Sequence, residues 1–132
     1  MSKLFLDDER APMVAFHYTN DPEYKEEWDI ARNCYEFVKY IEWKPMPETI
    51  SFDHDLAEEH YSKGIASEED WADYHLTDHI PTGYDCAKFL IEHCDKHNIP
   101  LPRIKVHSMN PVGKQNIINL INGFKHFKQR QS

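Results

Sequence analysis

The chain lacks an excess of basic residues: 15 Lys and Arg stand against 23 Asp and Glu, for a formal charge of −8 over 132 residues. That balance argues against a protein that coats DNA or RNA, which would carry a basic face. It leaves room for a small phosphorylated ligand, because bound cations can reverse the sign of a local site. No apolar run approaches the ~20 residues of a membrane span, and Met1-Ser2-Lys3 followed by a short apolar stretch does not have the form of a signal peptide. The three cysteines, Cys34, Cys86 and Cys94, are odd in number and show no CxxC spacing. They point to a reduced, cytoplasmic protein without structural disulfides. Repeats, low-complexity tracts and Gly/Ser linkers are missing, so residues 1–132 read as one domain. The GxxxxGK[ST] loop is missing too, which excludes an NTPase of that type.

What is present suits a packed interior: 40% hydrophobic and 13% aromatic residues. Lys3 to Asp8 carries Leu4, Phe5 and Leu6, a continuous apolar run ending in acids, which predicts a parallel strand buried on both faces. Met13 to Tyr18 reads as a second, weaker strand. From about Trp28 to Trp43 the pattern predicts a helix with Trp28, Ala31, Cys34, Val38 and Ile41 as its buried stripe. Thr49 to Phe52 is the next strand, again running into acids. Thr82-Gly83-Tyr84-Asp85 reads as a capping box opening a helix whose buried stripe is Ala87, Leu90, Ile91 and Cys94. A strand over Arg103 to Ser108 follows. Asn110-Pro111 then starts a last helix, with Ile117, Leu120, Ile121 and Phe124 facing the core. Strands separated by helices imply a parallel α/β sheet, whose ligands sit outside the carboxyl ends of the strands.

Three of those ends are polar: Asp7-Asp8-Glu9-Arg10, Asp53-His54-Asp55 and His107-Ser108-Met109-Asn110. Asp7, Asp8, Asp53 and Asp55 would bring several carboxylates into one crevice, a conflict that a hard divalent cation such as Mg²⁺ or Mn²⁺ resolves. The other reading has some of these acids capping helices or pairing with Arg10 and Lys114. His54 and His107 close adjacent strands and are candidates for general acid–base work on a phosphodiester, or for metal ligation. The other reading makes them hydrogen-bonded core residues.

The start of the last helix offers free N–H groups and a positive dipole end. Ser108, Asn110, Gly113 and Lys114 are therefore candidate phosphate-binding residues, with Arg10 from the first cluster; the alternative is a capped helix with a packing glycine. Residues 57–81 form a long polar excursion, expected to act as a lid. Tyr61 within it and Tyr84 just after it could stack on a nucleobase.

Four stretches in this order resemble the cyclic-phosphate processing receiver-like family, which is related to the receiver domains of two-component signalling. They are Leu4–Pro12, Ile50–Leu56, Thr82–Asp85 and Val106–Gly113. The resemblance implies a small three-layer receiver-like (flavodoxin-like) α/β fold, with a mainly parallel sheet of about four to five strands flanked by helices. It also implies an acidic metal-binding pocket and a role on cyclic phosphate termini or cyclic nucleotides, in settings of RNA repair and host–virus conflict. Asp7 and Asp8 resemble the paired acids that hold Mg²⁺ in receivers, Asp53 the phospho-acceptor and Ser108 the hydroxyl residue. No lysine closes a further strand, and His54, Asp55, His107 and Asn110 are additional. The expected activity is that of a metal-dependent phosphoesterase, with Asp53, His54 and His107 as catalytic groups. The alternative is a non-catalytic protein that sequesters a nucleotide signal or, as a degenerate receiver, docks a partner.

Overall fold

Register decides what this sheet presents. The computed structural model describes residues 2–56 and 81–131. It contains four parallel strands in the order β2-β1-β3-β4: β1 Lys3–Leu6, β2 Asp29–Ala31, β3 Thr49–Phe52 and β4 Arg103–Val106. Among the described residues four helices surround it: α1 Pro12–Thr19, α2 Cys34–Trp43, α3 Gly83–His97 and α4 Pro111–Gln131. A short 3-10 turn, Pro22–Lys25, lies between α1 and β2. Among the described residues the strand order is that of the first four strands of a flavodoxin-like sheet, and its topological switch point falls between β1 and β3. The α/β receiver-like expectation is therefore met, with four strands.

The two sheet faces differ in chemistry because successive side chains alternate. Leu4 pairs with Ile50, which pairs in turn with Ile104, and Leu6 pairs with Phe52, which pairs with Val106. These apolar rows join α2, α3 and α4 in the main core, through Phe37, Ile41, Cys86, Leu90, Ile117 and Ile121. Each such side chain, fully buried, contributes roughly 1.5–3 kcal/mol. The three cysteines are all free and buried. On the opposite face, Lys3 pairs with Thr49 and Thr49 with Arg103, while Phe5 pairs with Ser51 and Ser51 with Lys105. Here a smaller aromatic cluster of Phe5, Ala15, Tyr24 and Trp28 holds α1 and the 3-10 turn.

Two sequence expectations are corrected. Met13 to Tyr18 is not a strand but the body of α1. Pro12 sits at the first helical turn, and Asn20 ends the helix in the left-handed region at φ 59°. Its apolar residues misled because they form no clean stripe: Met13 and Val14 are exposed, Ala15 alone is fully buried, and Phe16 and Tyr18 pack only partly against the smaller cluster. The helix expected from Trp28 to Trp43 is divided. Asn33 caps α2 by accepting the Glu36 N–H at 2.8 Å, and the preceding residues form β2 against β1. Trp28 belongs to the smaller cluster, with its indole N–H on the Glu23 carbonyl at 3.0 Å. A three-residue edge strand is too short to show a period of its own.

The remaining helices are as expected in substance. Asp85 accepts the Thr82 backbone N–H at 2.8 Å, completing the cap of α3, and Ile117 and Ile121 reach the core from α4. Leu120 packs at the edge of that core, whereas Phe124 is half-buried beneath the Lys128 ammonium. Among the described residues no helix is long and apolar enough to cross a membrane. The expected insert at 57–81 lies, except for its last residue, outside the described residues.

Glu23 ties the 3-10 turn to the sheet. Its carboxylate meets Lys3 at 2.8 Å and Lys105 at 3.0 Å, and also meets Arg103. Burial pushes its pKa up, but the bonds from Lys3 and Lys105 and the nearby charges outweigh this and hold it below the usual range. A depressed carboxyl stabilises the fold above its unfolded pKa of about 4.3 and loses that contribution as pH falls through its folded value. Glu23→Gln is expected to lower stability by about 1–2 kcal/mol at pH 7. In urea unfolding the deficit should shrink on acidification below about pH 4. An equal deficit at both pH values would contradict the ion-pair account.

Candidate metal and phosphate site

Extending the polar face by one step beyond the strands brings Asp7, Asp53 and His107 into a single row at the carboxyl edge. Backbone bonds carry the ladder that far: Asp7 N–H to Ala31 at 3.1 Å, Asp53 N–H to Leu6 at 2.9 Å and His107 N–H to Phe52 at 3.0 Å. All three side chains are buried, and each offers a ligand atom within 4.8 Å of the others. The row lies at the switch point between β1 and β3, where open α/β sheets bind their ligands. It borders a crevice of about 530 Å³ lined by Asp8, Arg10, Asp53, Asp55, Ser108 and Asn110, among others.

Asp7 is the most thoroughly engaged of these acids. Its Oδ1 accepts the backbone N–H groups of Glu9 at 3.0 Å and Arg10 at 2.8 Å, which folds the 7–10 segment into a turn. Its Oδ2 meets His107 Nε2 at 3.1 Å and the Arg10 guanidinium at 3.5 Å. Burial pushes its pKa up, but the bonds from His107 and the two N–H groups prevail, so the carboxyl sits below its ordinary value. Arg32 braces the same turn by donating to the carbonyls of Asp7 at 3.2 Å and Arg10 at 2.7 Å.

Asp53 has less support. Its Oδ1 accepts the His54 N–H at 2.9 Å, and its Oδ2 faces Arg10 at 3.7 Å, an ion pair too long for a hydrogen bond. Burial, then the charge of Asp7, pushes its pKa up to about 6. Two buried carboxylates with one partly exposed guanidinium between them are under-compensated, and a divalent cation fits that deficit. The donor set supports the same reading: hard oxygens from Asp7 and Asp53, with one imidazole nitrogen in range. The bland expectation that Arg10 pairs with these acids is also met, whereas Lys114 is exposed and does not line the crevice.

The other residues singled out from the sequence distribute as follows. Asp8 and Asp55 line the crevice, and Asp55 is exposed at its rim. Ser108 lines it too, its Oγ accepting the Asn110 N–H at 3.1 Å. Asn110 also lines it, but its Oδ1 caps α4 by accepting the Gly113 N–H at 3.0 Å, so that acceptor is already used. Gly113 serves packing: a Cβ there would lie 2.3 Å from the His54 ring. His54 bonds Asp55 through Nδ1 at 2.9 Å, and its ring lines a neighbouring cavity together with Tyr84. That bond lowers the Asp55 pKa, with burial opposing and Asn110 assisting. Tyr61 lies outside the described residues. His107 is only 1% exposed, stacked on Phe5 with ring centroids 4.2 Å apart.

Residues the sequence reading passed over also shape the site: Ser51, Tyr24, Tyr18 and Arg32. Tyr18 donates its hydroxyl to the His107 carbonyl, and Ser51 bonds His107 Nδ1 at 2.7 Å. One signal was available for Ser51: it interrupts the apolar run Ile50-Ser51-Phe52 two residues before Asp53, on the same face by alternation.

The family profile described as cyclic-phosphate processing Receiver domain matches residues 2–123. The chain belongs to this family. No curated protein and no solved structure matches it. As a cyclic-phosphate processing receiver domain, the chain carries its row of acids at the place the switch-point rule assigns to ligands. Its crevice also keeps a cationic side chain, Arg10, directly on the two central acids.

If Asp7 and Asp53 repel each other, removing one charge relieves the metal-free fold. Asp53→Asn is expected to be more stable than wild type in EDTA by about 1–2 kcal/mol, and to lose any thermal stabilisation that Mn²⁺ confers. A variant that is less stable in EDTA and still stabilised by Mn²⁺ would contradict this description of the site.

Proposed function

We propose that this domain is a metal-dependent phosphoesterase acting on a cyclic phosphate, either a cyclic nucleotide or a 2′,3′-cyclic-phosphate RNA end. The observation that carries the reading is the under-compensated Asp7–Asp53 pair beside a crevice containing a guanidinium and a hydroxyl. Asp7 and Asp53 would hold a divalent ion, Mg²⁺ or Mn²⁺, with Asp8 and Asp55 as further oxygen donors at the crevice wall. Such an ion neutralises phosphate charge and lowers the pKa of bound water. The chain itself then has to bind, orient and protect the ligand.

Arg10 is the cationic donor on the crevice, and a phosphate that draws the guanidinium off the acids would gain a charge-assisted contact. Ser108 presents a hydroxyl on the same crevice, beside Asn110. Gly113 and Lys114, expected from the sequence to bind phosphate, have no part in this reading. Asp55, held by His54 and Asn110, keeps an ionised carboxylate at the rim. His54 acts through Asp55, and Tyr84 belongs to the adjoining cavity. A crevice of about 530 Å³ suits a small phosphorylated ligand better than a nucleic-acid strand.

The burial of His107 and the turning away of the His54 ring favour a second reading: the same crevice binds a cyclic nucleotide and leaves it intact. One panel of cyclic nucleotides and 2′,3′-cyclic-phosphate RNA, incubated with Mg²⁺ or Mn²⁺, separates the two. Turnover is expected, with losses on the order of 10²-fold or more on adding EDTA or in Asp53→Asn. Ligand bound but recovered intact would establish the second reading. Turnover indifferent to EDTA would overturn the metal-dependent one.

A further inference from the structure

Behind Asp7 runs a buried polar chain that does not touch the crevice. Tyr24 Oη lies 2.6 Å from Ser51 Oγ, Ser51 Oγ lies 2.7 Å from His107 Nδ1, and His107 Nε2 lies 3.1 Å from Asp7 Oδ2. All four residues are at most 3% exposed. The chain joins the aromatic cluster beneath the 3-10 turn to the carboxylate at the centre of the site.

Counting donors assigns its polarity. Tyr24 has one O–H, Ser51 has one O–H, and a neutral imidazole has one N–H. If Nδ1 carried the imidazole proton, Nε2 would turn a lone pair toward the Asp7 carboxylate, two acceptors 3.1 Å apart. If both nitrogens were protonated, Ser51 would have to donate back to Tyr24, leaving the buried Tyr24 O–H to seek another acceptor. One arrangement gives every hydrogen a partner. Tyr24 O–H donates to Ser51, Ser51 O–H donates to Nδ1, and Nε2–H donates to Asp7. Packing blocks rotation, since the ring stacks on Phe5 at an interplanar angle of 11° and meets Tyr24 edge-on at 75°.

We propose that Ser51 and Tyr24 are positioning residues that lock His107 as the Nε2–H tautomer, so that His107 orients Asp7 toward a bound cation instead of ligating that cation or moving protons itself. The proposal rests on the metal reading for its functional consequence, but the tautomer itself can be read in the metal-free protein. It gives His107 a role different from the catalytic one the sequence suggested. The physical reason is that both nitrogens of this histidine, which is 1% exposed, are already hydrogen-bonded, so ligating a cation would cost it the bond to Ser51 or to Asp7. Groups that orient a metal-bound carboxylate or imidazole in this way commonly change metal affinity 10- to 100-fold when removed.

The test uses the whole chain labelled with ¹⁵N-histidine, and a His107→Gln spectrum identifies the His107 signals among those of the nine histidines. In EDTA, wild type is expected to show one His107 tautomer, with a protonated, slowly exchanging Nε2–H and an unprotonated Nδ1. An imidazolium or an Nδ1–H ring would overturn the proposal. Ser51→Ala is expected to mix the tautomers and weaken Mn²⁺ binding about 10- to 100-fold by titration calorimetry, with Tyr24→Phe intermediate. Unchanged tautomer and Mn²⁺ affinity in Ser51→Ala, with only a lower melting temperature, would reduce Ser51 to packing and overturn the proposal. If wild type takes up no Mn²⁺, the metal reading falls, and with it the claim that Asp7 is oriented for a cation; the spectra still decide the lock on His107.

Discussion

The site depends on one constraint: three parallel strands kept in register to their last residue. Because Asp7, Asp53 and His107 each continue the ladder by a backbone bond of 2.9 to 3.1 Å, their side chains emerge side by side on one face. The apolar rows on the opposite face hold that register. A slip of one residue would move Leu4, Leu6, Ile50 and Phe52 out of the core and send the acids to the wrong side. The electrostatic cost of two adjacent buried carboxylates is therefore offset by the hydrophobic face, not by local pairing alone. Gly83 belongs to the same constraint. A Cβ there would lie 1.7 Å from the Asp53 carbonyl, so the start of α3 can press directly on the chain leaving β3.

Around this row, each charged group has a distinct task. Arg10 neutralises part of the Asp7–Asp53 charge from the crevice side, while His107 supports Asp7 from within. Arg32 and two backbone N–H groups hold the turn that carries Arg10. At the far end of the same face, Glu23 gathers Lys3, Lys105 and Arg103. The polar face thus runs from an ion-pair cluster at the amino edge, through an aromatic and hydroxyl middle, to an acidic carboxyl edge. The acids at that last edge contribute part of the net charge of −8.

Much of this was legible in the sequence. β1, β3 and β4 announced themselves by apolar runs that end in polar residues, and α3 by its Thr82–Asp85 cap. Asp7, Asp53, Ser108 and Asn110 were placed at strand ends by the same reading, and the structure gathers them at the crevice or beside it. Less visible were elements whose stability comes from tertiary contact. β2 is three residues long and exists by pairing with β1. α1 has scarcely any apolar stripe, and its sequence fits a weak strand equally well. The histidines were ambiguous for a different reason. Their residue type suggests acid–base chemistry, but what each does is set by neighbours distant in sequence: Ser51 for His107, and Gly113 for His54. Only the folded chain shows that His54 fills the space a side chain at Gly113 would need.

The central claim is that Asp7 and Asp53 hold a divalent cation at the switch point of the sheet. Anomalous diffraction from crystals of the protein grown with Mn²⁺ tests it most directly. The account predicts one strong Mn²⁺ peak bound by carboxylate oxygens of Asp7 and Asp53, with Arg10 moved away from at least one of them. A map with no peak at that row, or with Mn²⁺ bound only at surface acids while Arg10 still bridges Asp7 and Asp53, would contradict it.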